Sequence, residues 1–187
     1  MAQRALRGFF AIILSSLLLG GHVVARATVI PVAVSSSAAH GLGLPIGDGS
    51  IIVTSERLGE DVTYNGQTLK LLSAQPSRGL SFYQAEGRIQ PIQLADRIVF
   101  SKSDRFQFLT PAPVTTETIV ATNDGYHWQL KGEVWIAKTS APIPLGSPLV
   151  RETDGQLMGL AVASEGLSTA IVSVDQLRLG CFDAGIV

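Results

Sequence analysis

The side chains able to act as nucleophiles, bases or metal ligands are few in this 187-residue chain and lie far apart. Two of its three histidines, His40 and His127, fall beyond residue 27, and Cys181 is the single cysteine. No cluster of His, Cys, Asp or Glu has the spacing of metal ligands, so we expect neither a metal nor a cofactor. A lone cysteine allows no internal disulfide, and we expect Cys181 to be buried.

Ser147 is a candidate nucleophile. It lies in APIPLGSPLVRETDGQLMGLAVAS, where a Gly-Ser-Pro run leads into an apolar segment, a turn and a glycine-bearing apolar strand. A serine attacks a substrate only when a base takes its proton. The available histidines are His40 and His127, for which a surface or packing role is the ordinary interpretation.

The first 27 residues have the features of an export signal. A short basic start precedes the mostly apolar run from Phe9 to Leu19, and Ala25-Arg26-Ala27 has the small-x-small pattern of a cleavage site. The apolar run is shorter than the roughly 20 residues that a membrane-spanning helix needs. We therefore expect residues 1–27 to be removed and residues 28–187 to be periplasmic or secreted, without a stable membrane anchor; an uncleaved anchor is the alternative.

The charge balance argues against a nucleic-acid partner. Because Arg4, Arg7 and Arg26 leave with the signal, 11 of the 14 basic residues remain against all 15 acidic ones. Proteins that bind nucleic acid present basic stripes, which this mildly acidic chain lacks. The length of the remaining chain suits one domain, or two very small ones that share a core.

Short strands must position the few reactive side chains. Runs rich in Val, Ile, Thr, Phe and Tyr are separated by turn signals, of which Asn65-Gly66 is a strong hairpin signal and Asn123-Asp124-Gly125 and Asp154-Gly155 are others. The last run, STAIVSVDQL, is also interpreted as a strand, and no sustained 3.6-residue periodicity follows residue 27. About ten short strands with tight turns predict an all-β sandwich or barrel.

The Pro- and Thr-rich stretch LTPAPVTTET is interpreted as a linker near residues 109–115. It divides the domain into approximate halves, residues 38–108 and 116–180.

Three separated stretches, in the right order, resemble trypsin-like serine proteases of the bacterial HtrA branch. GLGLPIGDGSIIVTSERLG is similar to the strand that leads into the family's I-V-T-N-N-H-V motif, and VTYNGQTLKLLSAQPSRGLSFYQ to its hairpin and D-P-x-x-D-L-A-L-L-K motif. Gly146-Ser147-Pro148-Leu149-Val150 is similar to the end of G-x-S-G-[GS]-P-L-V. The resemblance spans about residues 38 to 178 and implies two small antiparallel Greek-key β-barrels with a cleft between them.

The resemblance also implies where a catalytic triad would stand, and all three positions are substituted. Arg57 replaces the histidine, Gly79 the aspartate and Leu145 the serine. A guanidinium stays protonated and cannot act as the base, glycine offers no carboxylate, and leucine has no nucleophilic atom. We therefore expect no catalytic residue at these positions.

The leading hypothesis is an exported, inactive protease homologue that binds a peptide or protein segment as an added β-strand in its cleft. The predicted peptide contacts match the family's cleft-lining strand and are Ala161, Val162, Ala163 and Ser164. The alternatives are a residual serine hydrolase using Ser147 and a structural envelope protein whose cleft is filled by side chains such as Leu145 and Arg57. Arg57 itself is solvated, paired with an acid such as Glu56, or clasps a ligand carboxylate.

Overall fold

The computed structural model describes residues 29–94, 98–99, 101, 103–122 and 128–186. Within them the chain is almost entirely β-structure, with one α-helix, α1 (Val174–Asp183), and 3-10 turns at Glu56–Leu58 and Pro76–Arg78. The strands are β1 (Val32–Ser35), β2 (His40–Ile46), β3 (Ile51–Ser55), β4 (Thr63–Tyr64), β5 (Gln67–Thr68), β6 (Lys70–Gln75), β7 (Leu80–Gln84), β8 (Phe106–Phe108), β9 (Val114–Thr122), β10 (Val134–Thr139), β11 (Pro148–Arg151), β12 (Leu157–Glu165) and β13 (Ser168–Ser173).

The first seven strands form one antiparallel sheet in the order β5-β4-β1-β2-β3-β7-β6. Its two edge strands, β5 and β6, are consecutive in the chain and are joined through Leu69, whose N–H donates to the carbonyl of Val62 at 2.8 Å. The sheet therefore curls toward closure. Side chains alternate across β3, so Ile52 packs in a cluster inside the curled sheet while Val53 faces a core shared with the rest of the molecule.

The last six strands form a closed barrel in the order β10-β13-β12-β11-β8-β9. Its interior is filled by buried apolar side chains contributed by several strands: Phe108, Trp135, Ala137, Ile143, Leu149, Met158, Ala161 and Ile171. In both units the fourth strand lies beside the first, as β4 lies beside β1 and β11 beside β8, which is the Greek-key arrangement. The outer face of β12 packs on the first sheet through the shared core.

Helix α1 fastens the barrel to the first sheet. Its N-cap is Ser173, whose hydroxyl accepts from the N–H of Gln176, and its buried residues join the shared core. The Arg78 guanidinium forms an ion pair with Asp183 at 2.7 Å, and Nε2 of Gln75 donates to the carbonyl of Gly180 at 2.9 Å. Neither α1 nor any other helix in the described ranges has the length and apolar character needed to cross a bilayer.

The all-β prediction with two units is confirmed, and the predicted Asn65-Gly66 hairpin joins β4 to β5. The first unit is a curled open sheet rather than a closed barrel. STAIVSVDQL is a strand only as far as Ser173, because that residue caps α1. The predicted export signal, the Asn123-Asp124-Gly125 turn and His127 lie outside the described residues.

The linker predicted near residues 109–115 is wrong. Phe108 on β8 pairs with Val114 on β9, so residues 109–113 form the loop of a hairpin between two neighbouring strands of the barrel. The chain passes from the sheet to the barrel earlier, between the end of β7 at Gln84 and the start of β8 at Phe106. Proline and threonine mark a hairpin loop and a linker equally well, which explains the misplaced boundary.

Candidate functional site

Arg57, the residue at the predicted histidine position, lies on the 3-10 turn that follows β3. The turn is capped by Ser55, whose Oγ accepts from the N–H of Arg57 at 3.1 Å, and is anchored by buried Leu58. The Arg57 side chain is exposed, and its Nη2 donates to the carbonyl oxygen of Trp128 at 2.8 Å. A guanidinium held this way can bind an anion but cannot take a proton from a serine.

Gly79, at the predicted aspartate position, is buried and has a left-handed backbone with φ of 70°. Its carbonyl accepts from the N–H of Glu56 at 2.9 Å, so the turns that carry Gly79 and Arg57 are directly bonded. A Cβ built on Gly79 would lie 3.0 Å from Cδ2 of Leu130 and 3.0 Å from Cβ of Val162. Apolar side chains therefore fill the space that a carboxylate here would need.

Leu145, at the predicted serine position, lies in the loop before β11 and packs against the cluster inside the first sheet. Its carbonyl accepts from the N–H of Leu42 at 2.8 Å. The next residue, Gly146, has φ of 75°, and a Cβ there would lie 1.7 Å from the Leu42 carbonyl oxygen. The loop is pressed against the backbone of β2, so only glycine fits after Leu145.

Ser147, the alternative nucleophile, points into the protein. Its side chain has 0% exposure, and its Oγ donates to the carbonyl of Pro144 at 2.7 Å. The histidine that the described residues contain, His40, is exposed and bonds instead to Ser35 at 2.8 Å through Nδ1. A substrate cannot reach Ser147 while the loop keeps this conformation.

The predicted peptide contacts lie on β12, at its boundary with the first sheet. Ala161, Val162 and Ala163 are buried and Ser164 is partly exposed. A bulge between Ala161 and Ala163 turns the carbonyl of Val162 toward the first sheet, where it accepts from Oγ of Ser55 at 2.7 Å. This bond joins the end of β3 to β12.

Within the described ranges, no strand pairs with one edge of β12 beyond Leu160. β11 covers that edge as far as Leu160, and the N–H of Ala161 donates to the carbonyl of Ser147 at 2.9 Å. Beyond this point β13 is the one strand in the described ranges that pairs with β12. Because backbone groups alternate in direction along a strand, Ser164 is the next residue after Val162 whose N–H and C=O face away from β13.

Arg57 places an unpaired positive charge at the site. Within the described residues no carboxylate lies within ion-pair distance of Arg57. Burial, with the negative charges of Glu56 and Glu60, raises the pKa of Tyr83, which keeps this phenol neutral. No group of three His, Cys, Asp or Glu residues in the described ranges is arranged to hold a metal ion.

Cys181 is buried, as the sequence predicts, on the inner face of α1. Burial raises the pKa of its thiol to about 11, so the thiol stays protonated at neutral pH and is a poor nucleophile.

Solved structures with this fold exist, although no protein-family model and no curated protein matches the chain. The Rv3671c protease of M. tuberculosis H37Rv, as a serine-to-alanine mutant in its inactive form, aligns with a TM-score of 0.63 and 16% identity over 91% of this chain and 93% of that one. The chain has the trypsin-like fold. The MamO protease domain of Magnetospirillum magneticum aligns with a TM-score of 0.58 and 16% identity over 85% of this chain and 97% of that one. A human astrovirus serine protease aligns with a TM-score of 0.54 and 14% identity over 80% of this chain and 93% of that one.

In this trypsin-like fold, the three predicted triad positions all lie where the two units meet. Arg57 contacts Trp128, Gly79 lies against Val162, and the carbonyl of Leu145 bonds to β2. Their assignment to a catalytic triad stays a prediction. Sequence reasoning missed the groups that occupy the space around them, because Leu130 and the carbonyl of Trp128 carry no recognisable motif. The resemblance to the HtrA branch in particular stays a prediction.

Proposed function

We propose that this protein is a non-catalytic member of the trypsin-like fold that is exported and holds an extended peptide segment against the free edge of β12. The observation that carries this proposal is that other groups occupy the space where a catalytic triad is predicted. Gly79 is enclosed by Leu130 and Val162, and Arg57 is hydrogen-bonded across the cleft to the Trp128 carbonyl. The cleft has no acid–base pair in the described residues, yet it keeps a strand edge.

The absence of catalysis follows from the chemistry of the three positions. Loss of the serine or the histidine of such a triad lowers turnover by on the order of a millionfold, and loss of all three costs no more. The alternative of hydrolysis through Ser147 is disfavoured because its Oγ donates into the Pro144 carbonyl and has no exposed surface. A filled structural cleft is disfavoured because Arg57 and Ser164 remain accessible.

Strand addition needs a main-chain edge rather than a catalytic residue. An extended ligand would pair with the outward N–H and C=O of Ser164, next to the Ser55–Val162 bond that fixes the position of the edge. The buried side chains of Ala161 and Val162 hold β12 rigid from below, so little conformational entropy is lost when a ligand strand pairs with it.

The test uses a positional library of blocked seven-residue peptides, with binders titrated by calorimetry. Ser164→Pro removes the edge N–H, and proline is tolerated on a strand edge that faces solvent. We expect this variant to bind at least about tenfold more weakly, whereas the matched Ser164→Ala, which keeps the N–H, binds like the wild type. Absence of binding by any peptide, or equal affinity of the two variants, would contradict the proposal.

Export rests on the sequence of residues 1–27 and is tested separately. Expression of the full chain in a bacterial host, followed by mass determination of the protein in the periplasmic and secreted fractions, should give a product that begins at Thr28. Recovery of uncleaved protein from the membrane fraction would favour the anchor instead.

A further inference from the structure

Arg57 is the exposed group at the cleft whose chemistry the proposed function leaves unused. Of its five N–H donors, one on Nη2 bonds to a neutral partner, the Trp128 carbonyl. That bond holds the guanidinium at the boundary between the two units. The remaining donors form no hydrogen bond or ion pair with any other residue that the structure describes.

The charges around Arg57 are of both signs. Residues 128–131, the crossing segment, run from Trp128 to Lys131, whose N–H donates to the carbonyl of Ser77 at 2.7 Å. The Lys131 side chain is exposed. The carboxylates of Glu56, Glu60 and Asp61 lie near enough to Tyr83 to raise its pKa, but within the described residues none of them forms an ion pair with Arg57. The guanidinium therefore stays open to a ligand carboxylate.

The guanidinium lies beside the proposed ligand path. Ser55, two residues before Arg57, bonds to the Val162 carbonyl at 2.7 Å, and the free edge of β12 begins there. A strand paired with Ser164 passes this point. A carboxylate on it can accept a forked pair of hydrogen bonds from an arginine that is already fixed in place.

From this arrangement, and resting on the proposed function, we infer that the ligand is an acidic peptide whose carboxylate binds Arg57. The carboxylate belongs either to an Asp or Glu side chain or to a free C-terminus. Both sources offer the guanidinium the same two oxygen atoms, so the choice between them is left to the experiment.

The experiment compares isosteric peptide pairs by fluorescence anisotropy. Each binder from the blocked library is synthesised as matched pairs of peptides. At each position one pair carries Glu or its neutral isostere Gln and another carries Asp or Asn, and a further pair has a free C-terminus or an amidated one. We expect one carboxylate position to strengthen binding by roughly tenfold over its neutral match. The position that responds distinguishes a side-chain carboxylate from a C-terminal one.

Variants then assign the preference. Arg57→Gln should remove the difference between the paired peptides, and Arg57→Lys, which keeps the charge but loses the fork, should retain part of it. The control is Arg88→Gln, because the Arg88 side chain is 80% exposed and pairs with Asp48 away from the cleft. It should leave the preference unchanged.

The possible outcomes distinguish the role of Arg57 from the proposed binding of peptides at the edge of β12. Equal binding of acidic and neutral peptides by the wild type, with the Ser164→Pro loss intact, overturns the role of Arg57 but leaves the strand-edge function standing. A preference that persists in Arg57→Gln also overturns it. Failure of every peptide to bind overturns both.

Discussion

Substitution of Gly79 by alanine tests whether the space of a catalytic aspartate is filled. The new Cβ would lie 3.0 Å from both Leu130 Cδ2 and Val162 Cβ, against the roughly 3.5–4.0 Å of an ordinary carbon contact. Crowding of this kind costs about 1–3 kcal/mol. The left-handed backbone of residue 79 costs a non-glycine residue about 1–2 kcal/mol more.

Gly66→Ala is the matched control. Gly66 also has a left-handed backbone, with φ of 78°, but a Cβ there meets no atom within 4 Å. The backbone cost and the loss of glycine freedom in the unfolded chain are therefore common to both variants. The difference between them isolates crowding, and we expect Gly79→Ala to be the less stable by about 1–3 kcal/mol.

Urea unfolding of the two variants and the wild type, followed by circular dichroism, measures this difference. If the free energies of unfolding of the two variants agree within about 0.5 kcal/mol, within which independent effects ordinarily add, the enclosure of Gly79 by Leu130 and Val162 is refuted. Relief of the penalty in a Leu130→Ala background would identify Leu130 as the blocking group.

Three further predictions concern the triad region, Asp154 and Cys181. The triple variant Arg57→His, Gly79→Asp, Leu145→Ser should fail to hydrolyse peptide or ester substrates, because Leu130 and Val162 crowd a side chain at position 79 and keep an aspartate there from the geometry that a triad needs. Turnover that needs all three changes would contradict this. The hydrogen bond from the Arg151 guanidinium lowers the pKa of Asp154 below its ordinary 3.8. The extra stability of the wild type over Asp154→Asn should therefore be complete above about pH 4 and disappear as the pH falls through the lowered pKa. A difference in the free energy of unfolding that stays constant in urea titrations down to pH 2 would contradict this. Cys181 should resist maleimide at pH 8 in the folded protein and react in urea, and rapid labelling without urea would show that the thiol is exposed.

The sequence predicted the β-structure well because its signals are local. Asn65-Gly66 favours a two-residue hairpin, and runs of β-branched and aromatic residues between turn signals indicate strands. The linker was misplaced because its proline- and threonine-rich composition describes equally well the hairpin that joins β8 to β9. Helix α1 was missed because the strand of Ser168–Ser173 runs directly into it without an intervening turn.

The site was predictable only in part, for a physical reason. Motif spacing singled out Arg57, Gly79 and Leu145, and the structure places all three where the two units meet. That they correspond to a catalytic triad stays a prediction. What occupies the space around them comes from residues distant in sequence, such as Leu130 against Gly79, and from backbone groups such as the Trp128 carbonyl. The inward hydrogen bond of Ser147 likewise depends on how one loop packs, which side-chain identity does not reveal.

The most direct test of a trypsin-like fold without catalysis is labelling of the purified, folded protein with a fluorophosphonate probe for activated serines, beside Ser147→Ala. This account predicts no labelling of either protein, because the Ser147 hydroxyl is buried and bonded to the Pro144 carbonyl. Labelling of the wild type that disappears in Ser147→Ala would contradict it and would show that the loop opens and that a base reaches Ser147.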